Sequence, residues 1–160
     1  MSNLIVDSGL NISGKVNTDT LIKLLVFEIG KLTLALPILQ VKKVIKQDQV
    51  HGSGLSYVNL THLPEQEIAI VDLHQKLFGV SLTQAESTGY FIISKNITGE
   101  PLGIVVVQAP TLIDVPLQQI RLLPDSYRRA DTLEIASHVT VYSQGDDSHT
   151  IFVLDLTRLV

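Results

Sequence analysis

Ile68-Ala69-Ile70-Val71-Asp72-Leu73-His74-Gln75-Lys76-Leu77-Phe78 is an apolar run that stops at an aspartate and passes into a short amphipathic stretch. The second half of the chain closes the same way, with Ile151-Phe152-Val153-Leu154-Asp155-Leu156-Thr157-Arg158-Leu159-Val160. Each apolar run reads as a strand. Aspartate suits the junction because its carboxylate accepts from the unpaired N–H groups of the helical turn that follows. Asp72 and Asp155 are therefore expected to be structural caps. One such strand, cap and helical turn in each half predicts two similar small β units.

Outward from that repeat, Leu25-Val26-Phe27 and Leu32-Thr33-Leu34-Ala35-Leu36 flank Gly30-Lys31 and predict a hairpin over Lys23 to Leu36. Pro37 to Val41 predicts one helical turn, since proline is comfortable at a first helical position. Lys43 to Gln47 reads as extended, His51 to Gly54 as a loop, Ser56 to Leu60 as a short strand and Thr61 to Gln66 as a loop. Glu67 to Val71 is a strand, and Asp72 to Phe78 a short helix ended by Gly79. Val80 to Thr88 is the expected connection between lobes. Tyr90 to Lys95 and Leu102 to Val107 predict a second hairpin. Thr111 to Val115, Leu133 to Tyr142 and Thr150 to Leu154 read as strands, with a turn over Ser143 to His149. Pro124 to Asp131 reads as loop or a single helical turn. Residues 1–22 are expected to be a flexible arm. Many short strands with frequent turn signals and little helix give an all-β class, a sandwich or barrels. The repeat favours two small barrel lobes, divided near residues 80–89.

The chain has 160 residues, enough to bury a core without a disulfide or metal. It has no cysteine, which excludes disulfide frameworks, thiolate zinc sites and thiol nucleophiles. The first residues lack a basic n-region and a long apolar stretch, so no signal peptide is expected. No apolar run reaches the ~20 residues of a membrane helix, so no membrane insertion is expected. Charged residues make up 18% of the chain, against about 25% in ordinary domains, which fits a large core and apolar interaction patches. The net charge is −4. Residues 1–80 are neutral and residues 81–160 acidic, which argues against nucleic acid as a partner.

The five histidines, His51, His62, His74, His138 and His149, do not pair at metal-ligand spacing. Asp72 and His74 could be ligands only if Asp72 were not capping. No Gly-x-Ser-x-Gly elbow occurs, and Gly52-Ser53-Gly54 lacks the lysine of a phosphate loop. Glu65 and Glu67 show nothing that would separate two pKa values for acid–base work. No catalytic residue, metal or cofactor is therefore expected. Lys42, Lys43 and Lys46 form a basic cluster, with Lys42 and Lys46 on one face if the segment were helical. Such a cluster is either a solvated surface or a contact that speeds association with an acidic partner.

Val58-Asn59-Leu60, then Ile68-Ala69-Ile70-Val71-Asp72-Leu73 and a short helix ending in Leu77-Phe78-Gly79, resembles the chemotaxis coupling protein CheW and its relatives. Leu36-Pro37-Ile38 with Val41-Lys42-Lys43-Val44, Leu102-Gly103-Ile104-Val105-Val106 and the closing Leu154-Asp155-Leu156-Thr157-Arg158-Leu159 extend the likeness over roughly residues 23–160. The resemblance implies two SH3-like five-stranded β-barrel lobes packed together, with a few short helices. It also implies a cytoplasmic, non-enzymatic adaptor whose partners are a CheA-type histidine kinase and a methyl-accepting chemotaxis-type receptor. It points to Val41, Lys43, Val44, Val58, Asn59, Leu60, Thr61, His62 and Ile70 as protein-binding residues. The sequence departs from the family pattern at several places. Thr61 and His62 stand where the family has arginine-glycine, and the Asn59-to-Asp72 interval is longer. Ala69 replaces a proline, Lys43 a glutamate and Gln108 an aspartate. Neither threonine nor histidine reproduces an arginine's bidentate fork. The reading is a divergent adaptor, in a pilus-motility or phototaxis-type system. A CheW-like regulator that does not couple receptor to kinase, and a small-ligand-binding barrel, are the alternatives.

Overall fold

The computed structural model describes residues 20–47, 58–62, 67–79, 89–95, 100–128 and 134–159. The expected arm up to residue 19, the His51 loop, the loop after His62, the Val80–Thr88 connection and the tip of the second hairpin lie outside them. The described residues form two sheets. β1 (Leu21–Ile29) and β2 (Leu32–Pro37) are the first hairpin, and β3 (Val41–Gln47) follows a 3-10 turn at Ile38–Gln40. β4 (Val58–His62) and β5 (Glu67–Val71) lead into helix α1 (Leu73–Phe78). β6 (Gly89–Lys95) and β7 (Pro101–Val106) are the second hairpin, followed by β8 (Thr111–Pro116) and a 3-10 turn at Leu117–Gln119. β9 (Arg121–Leu122), helix α2 (Asp125–Arg128), β10 (Ala136–Gln144), β11 (Asp147–Leu154) and a 3-10 turn at Leu156–Arg158 complete the order.

One sheet runs β8-β1-β2-β11-β10-β9, the other β3-β6-β7-β5-β4. Apart from the two-residue β9, the sheets share one pattern. An outer strand lies antiparallel to the first strand of a hairpin, β8 on β1 and β3 on β6. A closing strand lies parallel to the hairpin's second strand, β11 on β2 and β5 on β7. The closing strand then pairs antiparallel with its own predecessor, β10 or β4. Both closing strands are the apolar runs that end at Asp72 and Asp155.

The lobes are not the two halves of the chain, and the division expected near residues 80–89 is corrected. The compact units are residues 1–40 with 110–158, and residues 41–109 with 159–160. The hairpin of each half is closed by strands from the other half. Hairpins pair between sequence neighbours, whereas parallel neighbours are joined by long connections. Local sequence therefore does not say which hairpin a closing strand will meet.

The first unit's core holds Leu24, Ala35, Val115, Leu117, Ile120, Ile151 and Val153, with Ile22, Val26, Ile113 and Tyr142 packed against it. The second unit's core holds Ile68, Ile70, Phe91, Ile93 and Val105, with Ile45 against it. Those of them that lie on strands alternate along them, as a face packed on a core requires, while Leu117 and Ile120 come from the 3-10 turn and the residue after it. β1 begins at Leu21, so the expected arm is shorter than 22 residues. The turn expected over Ser143–His149 is also tighter, because β10 runs to Gln144 and β11 starts at Asp147. Gly145, at φ 62°, supplies the left-handed conformation of a two-residue hairpin turn, as Gly30 does at φ 59°. The ladder therefore continues through polar residues that stay exposed.

Candidate functional site

β3 is the outermost strand of its sheet, and among the described residues it pairs only with β6. Its other backbone edge has no strand partner there. Ile45 points into the core cluster, while Lys42, Lys43, Val44 and Lys46 are exposed and Val41 is half-buried. The register shifts between Val41 and Lys43, so Lys42 sits in a β-bulge. Bulges twist an edge and re-aim its side chains. Lys42 and Lys46 are strand residues, so the helical face considered for them does not form. The strand carries three cations and no acid. In the other unit, Leu39 on the 3-10 turn is 70% exposed, the most open large apolar side chain among the described residues. Sequence reasoning missed Leu39. Its signal was its position two residues after Pro37, within the turn that follows β2.

Val58, Asn59, Leu60, Thr61 and His62 form β4, at the opposite end of the strand order from β3. Asn59 lies opposite Ile70 and Thr61 opposite Ile68 in the antiparallel register with β5. The nine expected binding residues therefore fall on two edge strands and one inner strand. Val41, Lys43 and Val44 are together, and Val58 to His62 are together. Strands β6, β7 and β5 separate the two groups in the sheet order.

Ile70 is a correction. It is 1% exposed and belongs to the core cluster. β5 is an inner strand, flanked by β4 and β7, so the side chain packs inward and offers nothing to a partner. Gly103 faces it across the parallel ladder. A Cβ at Gly103 would overlap Ile70 Cδ1, and Ile93 Cδ1 lies 3.4 Å from the same point. The glycine is thus what lets these two isoleucines fill the core.

The groups that sequence chemistry singled out serve structure. Asp72 is fully buried, and its Oδ1 accepts from the Gln75 backbone N–H at 3.0 Å as the N-cap of α1. Gly79 ends that helix at φ 76°, its N–H donating to the Gln75 carbonyl at 2.8 Å. His74 lies against the Phe78 ring with centroids 4.9 Å apart. Asp155 Oδ1 accepts from the Thr157 backbone N–H at 3.0 Å and from Thr157 Oγ1 at 2.7 Å. Arg158 Nε stands 3.4 Å from Asp155 Oδ2, and its Nη1 donates to the Glu134 carbonyl at 3.1 Å. His138 is fully buried, with Ser137 Oγ 2.9 Å from its Nδ1. Among the described residues no group of three or more His, Cys, Asp or Glu side chains could hold a metal ion.

The arrangement offers strand edges and exposed apolar and cationic side chains, the means of binding another polypeptide. Residues 23–160 match the family described as the CheW-like domain. The fold is similar to the crystal structure of scaffolding protein TtCheW from Thermoanaerobacter tengcongensis, with a TM-score of 0.67 and 17% identity over 91% of each chain. That likeness shows an all-β fold of two SH3-like lobes. Among proteins with curated descriptions, none matches this sequence.

Proposed function

This chain belongs to the CheW-like domain family, whose members are non-enzymatic adaptors of chemotaxis-type signalling, and we propose that it links receptor cytoplasmic tips to a CheA-type histidine kinase. The observation that carries the reading is the family match across residues 23–160, which takes in both sheets. The β3 edge supports it, because a polypeptide partner needs an open strand edge or an exposed apolar patch. Val44 supplies apolar area, and the three lysines would steer an acidic partner.

The pathway is a divergent one, of the pilus-motility or phototaxis type. Lys43 stands where the family pattern has glutamate, and Thr61-His62 where it has arginine-glycine. A charge reversal on an exposed edge strand changes which partner is favoured. The proposed site of action is the cytoplasm, where receptor tips and kinase meet. Among the described residues no helix is long and apolar enough to cross a membrane.

A tagged copy pulled down from its own cell extract, with the bound proteins identified by mass spectrometry, tests the adaptor reading. Recovery of a chemotaxis-type kinase or a receptor with a long cytoplasmic hairpin supports it. Recovery of neither, from folded and abundant protein, overturns it. A second reading is favoured by the missing arginine fork at Thr61-His62: a regulator that occupies the array without coupling. Reconstituted kinase activity separates the two, since a coupler makes it receptor-dependent and a non-coupling regulator does not.

A further inference from the structure

β8 has an outer edge that nothing guards. Among the described residues it pairs only with β1, from Leu21 opposite Pro116 to Val26 opposite Thr111. Pro110 and Pro116 lack an N–H, so the open edge is Thr111–Val115. Lysines and a bulge blunt β3, and β9 is only two residues long; these are the usual means of keeping other strands off an edge. β8 has neither. Its ladder with β1 is regular, and its one charge, Asp114, lies 3.1 Å from Lys23 on β1. The edge is also apolar on both faces. Leu112 is 53% exposed on one face, and Ile113, on the other, is half-buried against the first core cluster. Such an edge fits a strand that is itself apolar on both faces, and in a sequence that is a short continuous apolar run rather than an alternating one.

We propose that Leu4-Ile5-Val6 of the same chain pairs with this edge, so that the segment before β1 covers β8. Residues 1–19 contain one continuous apolar run, and it is Leu4-Ile5-Val6. The chain enters β1 right beside β8, because the Thr20 carbonyl accepts from the Leu117 N–H at 2.9 Å, one residue past the end of β8. The edge and the chain that runs into β1 belong to one compact unit. Reach is sufficient. At about 3.3 Å per residue, Val6 to Thr20 spans up to about 45 Å, while the far side of β8 is two strand spacings, about 10 Å, from β1. A segment running in the same direction as β8 ends beside Pro116, where β1 starts. The covalent tether selects this occupant over a second copy, since it holds the run near the edge at an effective concentration on the order of millimolar. The segment is then a built-in competitor: a polypeptide that adds to the β8 edge must first displace it. None of this needs a kinase or a receptor, so it stands apart from the adaptor reading.

Paramagnetic relaxation on the full chain tests it. The chain has no cysteine, so Ser8→Cys takes a single nitroxide label. The amide signals of Thr111 to Asp114 should then be lost from the 15N–1H correlation spectrum and return when the nitroxide is reduced. Adding Leu4→Asp/Ile5→Asp/Val6→Asp to the labelled chain should restore them, because three carboxylates do not lie on an apolar edge. The remaining signals report whether that variant folds, and Ile5→Ser, which should restore them in part, serves if it does not. A mixture of 15N chain without label and labelled chain without 15N should keep the signals, because the pairing is within one chain. Without any label, amide exchange at Thr111 to Asp114 should be faster in the aspartate variant than in the wild type. Signals that survive beside the label, a loss that the substitutions do not reverse, or equal exchange rates overturn the proposal. A loss seen in the mixture also overturns it, and assigns the edge to a second copy.

Discussion

At the scale of single residues, Asp72 and Gly103 matter most, and they differ in how legible they were. Asp72 was legible because capping is local: a carboxylate at a strand end accepts from the N–H three residues ahead, in the first turn of the helix. Asp72→Ala removes the acceptor of the Gln75 N–H and should cost about 1 kcal/mol in urea unfolding. Asp72→Asn should retain most of that, since asparagine caps as well. Asp155→Ala should cost less, because the turn it caps is only Leu156–Arg158. Gly103 was not legible as a packing position. Its need is set by Ile70 and Ile93, which come from other strands. Gly103→Ala should destabilise by about 1–3 kcal/mol through overpacking. Ile70→Val alone should cost about 0.5–1.5 kcal/mol. Combined, the two should cost less than their sum, because valine lacks the Cδ1 that the new methyl meets. Additive losses in a double-mutant cycle would show that the overlap is relieved elsewhere.

Among the elements, β3 separates what a pattern can say from what a sheet decides. Alternation placed Lys43 to Gln47 in a strand, and Ile45 does face the core. Nothing in the sequence marked the bulge at Lys42 or the edge position of the strand, since both depend on its pairing with β6. Ile70 was misread for the related reason that apolar residues look alike whether their strand is inner or outer. Lys43→Glu should slow association with an acidic partner by up to about tenfold at low salt, with a smaller effect at high salt. Surface plasmon resonance across a salt series reads this directly. An unchanged on-rate at low salt would remove the β3 edge from the adaptor's binding surface. Ile70→Ala should instead lower stability by about 2–5 kcal/mol and leave the affinity of the folded fraction intact. The two positions are therefore distinguished by which measurement moves.

For the whole molecule, the nested connectivity yields the sharpest expectation. The segment 41–109 contains all of β3, β4, β5, β6 and β7, and with them the described residues of the second core cluster. It should fold alone, with dispersed amide signals in a 15N–1H correlation spectrum. A cut within residues 80–88 should instead leave each half without the partners of its hairpin. Those halves should be unfolded separately and regain strand structure when mixed. A folded isolated first half would contradict the interleaved pairing. The sequence by itself determined the all-β class, both hairpins, both aspartate caps, the helix ended by Gly79 and the resemblance that led to the family. The hairpins, caps and helix rest on neighbours within a few residues, where turn chemistry, alternation and capping act, and the resemblance on the order of such local motifs along residues 23–160. Only the tertiary structure decided that β5 joins β7 and β11 joins β2, that β3 and β4 are edges, and that Ile70 is interior. Those outcomes turn on which distant apolar faces bury each other, and a local pattern carries no information about its partner.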